Sequence, residues 1–274
     1  MSYLLVGASG FVSANFQKYL KNKNKKFKLI SSKKYNLLDQ QKCKSLSNIS
    51  GSNYNIIFFS AITPDKGKDY LTFKNNILMI SNFLEFFPKN KISHFNYISS
   101  DAVYSLKEKN IDENTICSPD DLYGSMHFSR EKIVESYFSD NQNFSIIRPT
   151  LIYGIGDTHN SYGPNRFIKQ MKENNKIVIF GKGLDTRDHI HITDVTDLIY
   201  KITNGKKNGI YNLATGNSYT FISLAKKIKK INKNLNIDLI PNNNTPTSRK
   251  FKIHKIKKIK SSFLSIDKGI KKYF

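Results

Sequence analysis

The 274-residue chain reads as an α/β protein, a doubly wound parallel sheet followed by a smaller C-terminal lobe. Three observations predict this. The apolar run 3–6 passes through Gly7-Ala-Ser-Gly10 into a stretch, 11–20, whose apolar residues recur at helical spacing. Further apolar runs at 28–30, 55–60, 94–98 and 144–147 leave room for helices between them, the pattern of right-handed βαβ units. From about residue 151 this rhythm loosens.

The first unit carries the most chemistry. A strand that turns through glycines into a helix points backbone N–H groups out of the helix N-terminus, where the dipole favours an anion. Gly7 permits the tight turn, and Gly10 lets a pyrophosphate approach the backbone. The third position of the glycine pattern is Ser13, small enough for close helix–strand packing. An ordinary βα turn can look the same, but its place at the head of the chain favours a Rossmann-type dinucleotide fold.

The second strand, 28–30, runs into Ser31-Ser32-Lys33-Lys34. Many NAD sites carry a carboxylate there for the ribose 2′-hydroxyl, whereas two lysines suit a 2′-phosphate. The expected cofactor is NAD or NADP, with NADP favoured. A helix ending near Leu46 follows, then the third strand, a helix over 75–87, the fourth strand ending in Ser99-Ser100-Asp101, a helix over 122–138 and the fifth strand. The polar residues cluster at strand carboxyl ends, where ligands bind in such sheets. Beyond 151, a loop through the polar stretch to Asn165 precedes a helix at 166–173. The expected division is a dinucleotide-binding domain at 1–150, with 194–215 packing back onto it. A small substrate-binding lobe, 151–193 and 216–274, would cover the cofactor.

Composition narrows the function classes. The formal charge of +23 invites nucleic-acid binding, yet only five of the 44 basic residues are arginine and asparagine is abundant. Lysine-rich windows at 226–230 and 252–260 interleave with Ile and Phe, as amphipathic helices do. A lysine- and asparagine-biased background explains the charge, and no nucleic-acid partner is expected. The longest apolar runs fall far short of the ~20 residues that span a bilayer, and no leader segment precedes the first strand. Neither a membrane nor an export route is expected. Cys43 and Cys117 suggest neither a disulfide framework nor a metal site, consistent with a reducing cytoplasm.

Tyr123-Gly-Ser-Met-His127, on a predicted helix beyond Ser100, resembles the Tyr-x-x-x-Lys signature of short-chain dehydrogenases/reductases. Residues i and i+4 share a helix face. The tyrosine can then serve as acid or base on a carbinol while its neighbour holds the nicotinamide ribose and Ser100 orients the substrate oxygen. Further segments resemble the extended branch, the NAD-dependent sugar-nucleotide epimerase/dehydratase family. These are residues 98–104, Arg148 to Gly154, the Gly-Lys-Gly…Arg187-Asp-His-Ile-His-Ile-Thr-Asp194 stretch, 209–216 and 262–270. The resemblance spans the chain in order. It implies catalytic roles for Tyr123, Ser100 and His127. It implies cofactor contacts from Gly7, Ser9, Gly10, Phe11, Val12, Asn36, Leu37, Ala61, Asn76, Ser99, Tyr123, His127 and Pro149, and substrate contacts from Asn165, Arg187 and Arg249. It also implies a homodimer through the Tyr123 helix and a nucleotide-sugar substrate. Arginine suits a diphosphate because its planar fork pairs with phosphate oxygens. His189 and His191 match family positions that are aromatic and histidine, and read as structural. No metal is implied.

Three departures shape the expected reaction. His127 stands where the family has lysine; an ordinary imidazole is mostly neutral at pH 7 and stabilises a tyrosinate poorly. Ala102 stands where dehydratases carry the glutamate base, which argues against dehydration. Leu151 stands where many epimerases have an asparagine, which puts a typical 4-epimerase site in doubt. The expectation is an NAD(P)-dependent keto-sugar reductase or epimerase using hydride transfer. The alternatives are a dinucleotide-binding sensor or assembly partner with little turnover, and nucleic-acid binding through charge.

Overall fold

The computed structural model describes residues 2–157 and 163–274. Its contacts divide the chain into two units: 1–104 with 117–148 and 196–211, and 105–116 with 149–195 and 212–274.

The first unit is built on a six-stranded sheet. Its strands are β1 (Ser2–Val6), β2 (Phe27–Ile30), β3 (Tyr54–Phe58), β4 (Ile92–Ile98), β5 (Phe144–Pro149) and β6 (Gly209–Leu213), and they lie side by side as β6-β5-β4-β3-β1-β2. β1 pairs in parallel with β2 on one side and β3 on the other, and the parallel pairing continues from β3 to β4 to β5. The chain therefore steps outward from β1 to β2 and returns past β1 to begin β3. That reversal places a switch point at the carboxyl end of β1, where ligands bind in open α/β sheets. All five residues of β3 are buried, and apart from Asn55 the run Tyr-Asn-Ile-Ile-Phe is apolar, as suits a strand covered on both faces.

The helices of this unit include α1 (Phe11–Asn22), α2 (Tyr70–Phe86) and α3 (Leu122–Tyr137), besides the short Gln40–Lys44 and most of Ile192–Asn204. Asp69 caps α2 by accepting from the Thr72 N–H at 2.8 Å, and Asp121 caps α3 by accepting from the Gly124 N–H at 2.8 Å. Each cap satisfies a donor that a helix leaves unpaired. The first turn of α1 has no side-chain cap. The core joins Leu4, Val6, Ile56, Phe58, Phe83, Phe95 and Tyr97, with Phe83 and Phe87 stacked at 5.2 Å. At the sheet margin, Lys28 of β2 is exposed and its ammonium donates to the Ser50 carbonyl at 2.6 Å.

The second unit holds three small sheets. Leu151–Tyr153 runs parallel to Thr186–His191, which pairs antiparallel with Ser218–Thr220; Lys176–Phe180 runs parallel to Asn236–Ile240; Asn110–Ile111 runs parallel to Lys250–Phe251. Its core gathers Tyr153, Phe167, Ile177, Leu224, Ile228 and Ile266. The segment 105–116 groups with this unit through that last strand pair.

Two expectations need correction. Asn165 lies in the first turn of the helix Gly163–Asn174, not in a loop, although 158–162 of the predicted loop lie outside the described residues. The window 226–230 is helical within Phe221–Ile231, but 252–260 supplies only the single turn His254–Lys257. Ile253, Ile256 and Ile259 recur every third residue, which suits a short turn better than a 3.6-residue period, and Ile253 offers no capping side chain.

Candidate active site

The site is built at the carboxyl ends of β1, β3 and β4. Gly7 has φ +93°, a conformation that glycine adopts freely. A Cβ there would also lie 2.6 Å from the Ser60 backbone nitrogen, so the turn after β1 sits directly on the end of β3. Gly10 differs. Its φ of −71° suits any residue, and a Cβ would meet nothing within 4 Å. Nothing inside the chain requires glycine at this position, whereas an anion drawn against the uncapped N–H groups of α1 would. Ser9 is exposed, Phe11 buried and Val12 half-buried around this turn, and Ser13 is fully buried beneath it.

The remaining residues expected at the cofactor fall into two groups. Asn76 donates to the carbonyls of Ile62 and Thr72, both at 3.0 Å, and accepts from the Ile62 N–H at 2.8 Å. Its donors are taken by backbone, and it shapes the loop that begins at Ala61. Leu37 is buried in the core, its carbonyl accepting from Asn82 at 2.7 Å, while Asn36 folds its side chain onto the Leu38 N–H. Ser31 to Lys34 follow β2, with Lys33 and Lys34 exposed. Pro149 ends β5 and belongs to the second unit.

Beyond β4 the chain turns through Ser100, whose hydroxyl accepts from the Ala102 N–H at 3.1 Å and caps the short turn Asp101–Val103. Gly124 packs against that turn with no clearance: a Cβ would sit 2.2 Å from the Ala102 carbonyl oxygen. The glycine within Tyr123-Gly-Ser-Met-His127 thus seats α3 against the turn carrying Ser100. The Tyr123 and His127 rings meet edge to face at 4.7 Å. His127 is buried, its Nδ1 lies 2.6 Å from the Tyr97 hydroxyl, and its Nε2 has no partner among the described residues. Burial, and then the positive charge of Arg130, hold the His127 pKa well below the usual imidazole value, leaving it neutral at pH 7.

Sequence reasoning missed the polar network beneath these residues. Arg148 of β5 grips Glu131 of α3 through Nε–Oε1 at 2.9 Å and Nη2–Oε2 at 2.5 Å, with both side chains almost fully buried. Ser99 donates to the same carboxylate at 2.5 Å, and Arg148 donates to the Tyr104 hydroxyl at 2.7 Å. Burial alone would lower the Arg148 pKa, but the Glu131 hydrogen bond and charge outweigh it and raise it. Ser99 therefore anchors the end of β4. Positions 123, 127, 130 and 131 fall at i, i+4, i+7 and i+8, one helix face. Polar residues along a face that also packs inward were the available signal.

In the second unit, Arg187 donates to the Thr186 carbonyl at 2.8 Å and to the Thr247 hydroxyl at 2.7 Å. Arg249 is buried with its guanidinium 5.6 Å from the centre of the Phe251 ring. Asn165 accepts from the Gly154 N–H and the Tyr273 hydroxyl and donates to Asp157. His189 and His191 are buried, and burial lowers both pKa values to about 4. Among the described residues no His, Cys, Asp or Glu cluster could hold a metal, and Cys43 and Cys117 are free thiols. Nor is any helix long and apolar enough to cross a membrane.

A parallel sheet with a glycine turn at its switch point and a Tyr-x-x-x-His helix beside a strand-end serine defines the class: a Rossmann-type fold of the extended short-chain dehydrogenase/reductase kind. The family model for the NAD dependent epimerase/dehydratase family matches residues 3–214, and the chain belongs to that family. It is 25% identical over 309 residues to the ADP-L-glycero-D-manno-heptose-6-epimerase of Brachyspira hyodysenteriae, covering 98% of this chain and 96% of that one. It is 30% identical over 156 residues to human dTDP-D-glucose 4,6-dehydratase, covering 53% and 42% of the two chains. Among solved structures, RMD from Pseudomonas aeruginosa complexed with NADPH superposes with a TM-score of 0.85 at 20% identity, covering 98% of this chain and 96% of that one.

Proposed function

We propose that the protein is an NAD(P)-dependent enzyme acting on a nucleotide-activated sugar, as a keto-sugar reductase or epimerase. The observation that carries this reading is the Tyr123–His127 pair, with a buried imidazole nitrogen left without a partner beside a tyrosine. Other buried polar atoms also lack partners among the described residues, but this one lies beside Tyr123, where a ligand hydroxyl is a natural partner. The open space at Gly10 and the uncapped turn of α1 fit a pyrophosphate equally well. A nicotinamide dinucleotide held by Gly7, Ser9, Gly10, Phe11 and Val12 at one end and by Tyr123 and His127 at the other would supply hydride transfer.

The chain's own residues then divide the work. Tyr123 exchanges a proton with the substrate oxygen, Ser100 orients that oxygen, and His127 donates to a ribose hydroxyl. Proton donation, as carbonyl reduction demands, asks less of a tyrosinate than alcohol oxidation does, which favours the reductive direction. Ala102 provides no base for dehydration. Arg187 and Arg249 would meet the nucleotide diphosphate. The relatives named for an ADP-heptose and for dTDP-D-glucose support the substrate class. Lys33 and Lys34 support NADP, and a homodimer through α3 belongs to the same reading.

Calorimetric titration with NAD, NADP and their reduced forms, repeated with a panel of nucleoside-diphosphate sugars, tests it. Dinucleotide binding followed by a sugar-nucleotide response is the expected result; absence of dinucleotide binding would refute it. The neutral state of His127 favours a second reading, a dinucleotide-binding sensor or assembly partner with little turnover. Dinucleotide binding with no sugar-nucleotide response would select that one.

A further inference from the structure

A neutral imidazole cannot supply the charge that favours a tyrosinate, but the next turn of α3 holds a cation. Arg130 is fully buried. Its Nη2 donates to the Ser60 carbonyl at 2.7 Å, its Nη1 lies 3.8 Å from the Met126 sulfur, and its guanidinium sits over the rings of Phe58 and Tyr97 at 5.0 and 5.2 Å. Among the described residues no carboxylate pairs with it, since the adjacent Glu131 is held by Arg148. Burying a cation without a counter-ion is costly, and aromatic faces offset only part of that cost. The same group favours any anion that forms nearby, and Tyr123, His127 and Arg130 share one helix face.

The Tyr97 hydroxyl links the two turns. Burial raises its pKa, so it remains a phenol. The Tyr97 hydroxyl and His127 Nδ1 lie 2.6 Å apart, a contact in which either can donate. With the phenol O–H as donor, the proton of the neutral imidazole resides on Nε2, the nitrogen without a partner among the described residues.

We propose that Tyr97 and Arg130 are positioning residues that together replace the missing lysine: Tyr97 fixes His127 as the Nε2–H tautomer, a donor for a ribose hydroxyl, and Arg130 supplies the buried charge that favours ionised Tyr123. This rests on the reading of Tyr123 as the acid/base. The other charged and titratable groups around this face are accounted for. Glu131 and Arg148 neutralise each other, Tyr104 accepts from Arg148, and burial keeps Cys117 a thiol. Asp101, buried in the turn after Ser100, and Asp121, which caps α3 beside Tyr123, are carboxylates that oppose ionisation of Tyr123.

The test uses full-length protein labelled with 15N-histidine and 13Cζ-tyrosine, with Tyr123→Phe and His127→Gln to assign the signals. At pH 7 the expected His127 signal is a neutral Nε2–H imidazole. Tyr123 should titrate below the ordinary value of about 10. Arg130→Met should raise that titration by about one pH unit, and Arg130→Lys should retain most of the depression. A protonated or Nδ1–H ring at pH 7, Tyr123 titrating at or above the ordinary value, or equal shifts in the Met and Lys variants would each overturn the proposal. The wild-type readings need no folded variant. Titration of the wild type with NADH and NADPH runs alongside: failure to bind either refutes the proposed function, whereas the spectra judge the charge arrangement by itself.

Discussion

Breaking the buried pair Glu131–Arg148 should destabilise the first unit more than any surface change. Arg148→Met leaves the Glu131 carboxylate about 1% exposed, with the Ser99 hydroxyl still donating to it. Removing one partner of such a pair costs about 3–5 kcal/mol, a large fraction of the ~5–15 kcal/mol that holds a domain folded. Glu131→Leu strands the guanidinium instead and should cost a similar amount. The double variant Arg148→Met/Glu131→Leu removes both desolvation penalties. It takes from the Ser99 hydroxyl its Glu131 acceptor, at about 1–3 kcal/mol. It should therefore be less destabilised than the sum of the single variants by at least about 2 kcal/mol. The chain has no tryptophan, so urea unfolding is best followed by far-ultraviolet circular dichroism. Single-variant losses that add within about 0.5 kcal/mol would show that the two charges do not compensate each other, and the reasoning would fail.

Three further outcomes follow from the geometry. Gly10→Ala, whose new Cβ meets nothing, should leave the unfolding midpoint almost unchanged and weaken NADPH binding at least about tenfold by calorimetry; equal affinity would remove the pyrophosphate from this turn. Gly124→Ala should destabilise by about 2–4 kcal/mol, because its Cβ would meet the Ala102 backbone oxygen at 2.2 Å; a neutral result would show that α3 can shift off the turn at little cost. Stability should also fall as pH drops from about 6.5 to 4. His189 and His191 titrate near 4 when folded and near 6.5 when unfolded, so the unfolded chain binds more protons in that window. Asp188 works the other way: burial raises its carboxyl to about 6, and its protonation on acidification recovers about 3 kcal/mol. Asp188→Asn should therefore steepen the acid loss of the unfolding midpoint, and a shallower profile would contradict this assignment.

The sheet and the first turn were legible because their signals are local. Gly7 and Gly10 sit where strand periodicity changes to helical, and β3 is apolar except at Asn55 because both its faces are covered. Tyr123 and Ser100 were legible through a motif whose spacing reflects one helix turn and one strand end. Arg130 and the Glu131–Arg148 pair were not, because their partners Ser60, Ser99 and Arg148 come from other strands, and only the finished sheet brings them to α3. At Asn76 the family resemblance implied a cofactor contact; the fold ties its amide to the backbone of Ile62 and Thr72, contacts between loop and helix that the sequence does not show. The basic run at 252–260 misled for a third reason, since its three-residue spacing resembles an amphipathic helix yet supports only one turn.

The strand order has one more consequence. β2 ends the sheet, so its outward backbone groups could accept a strand from another molecule and seed aggregation. Its four residues are a short template, and Lys28 in their midst places a charge at the margin while its ammonium is tied to Ser50. In a chain biased toward lysine, a residue that does nothing for catalysis helps keep neighbouring molecules apart.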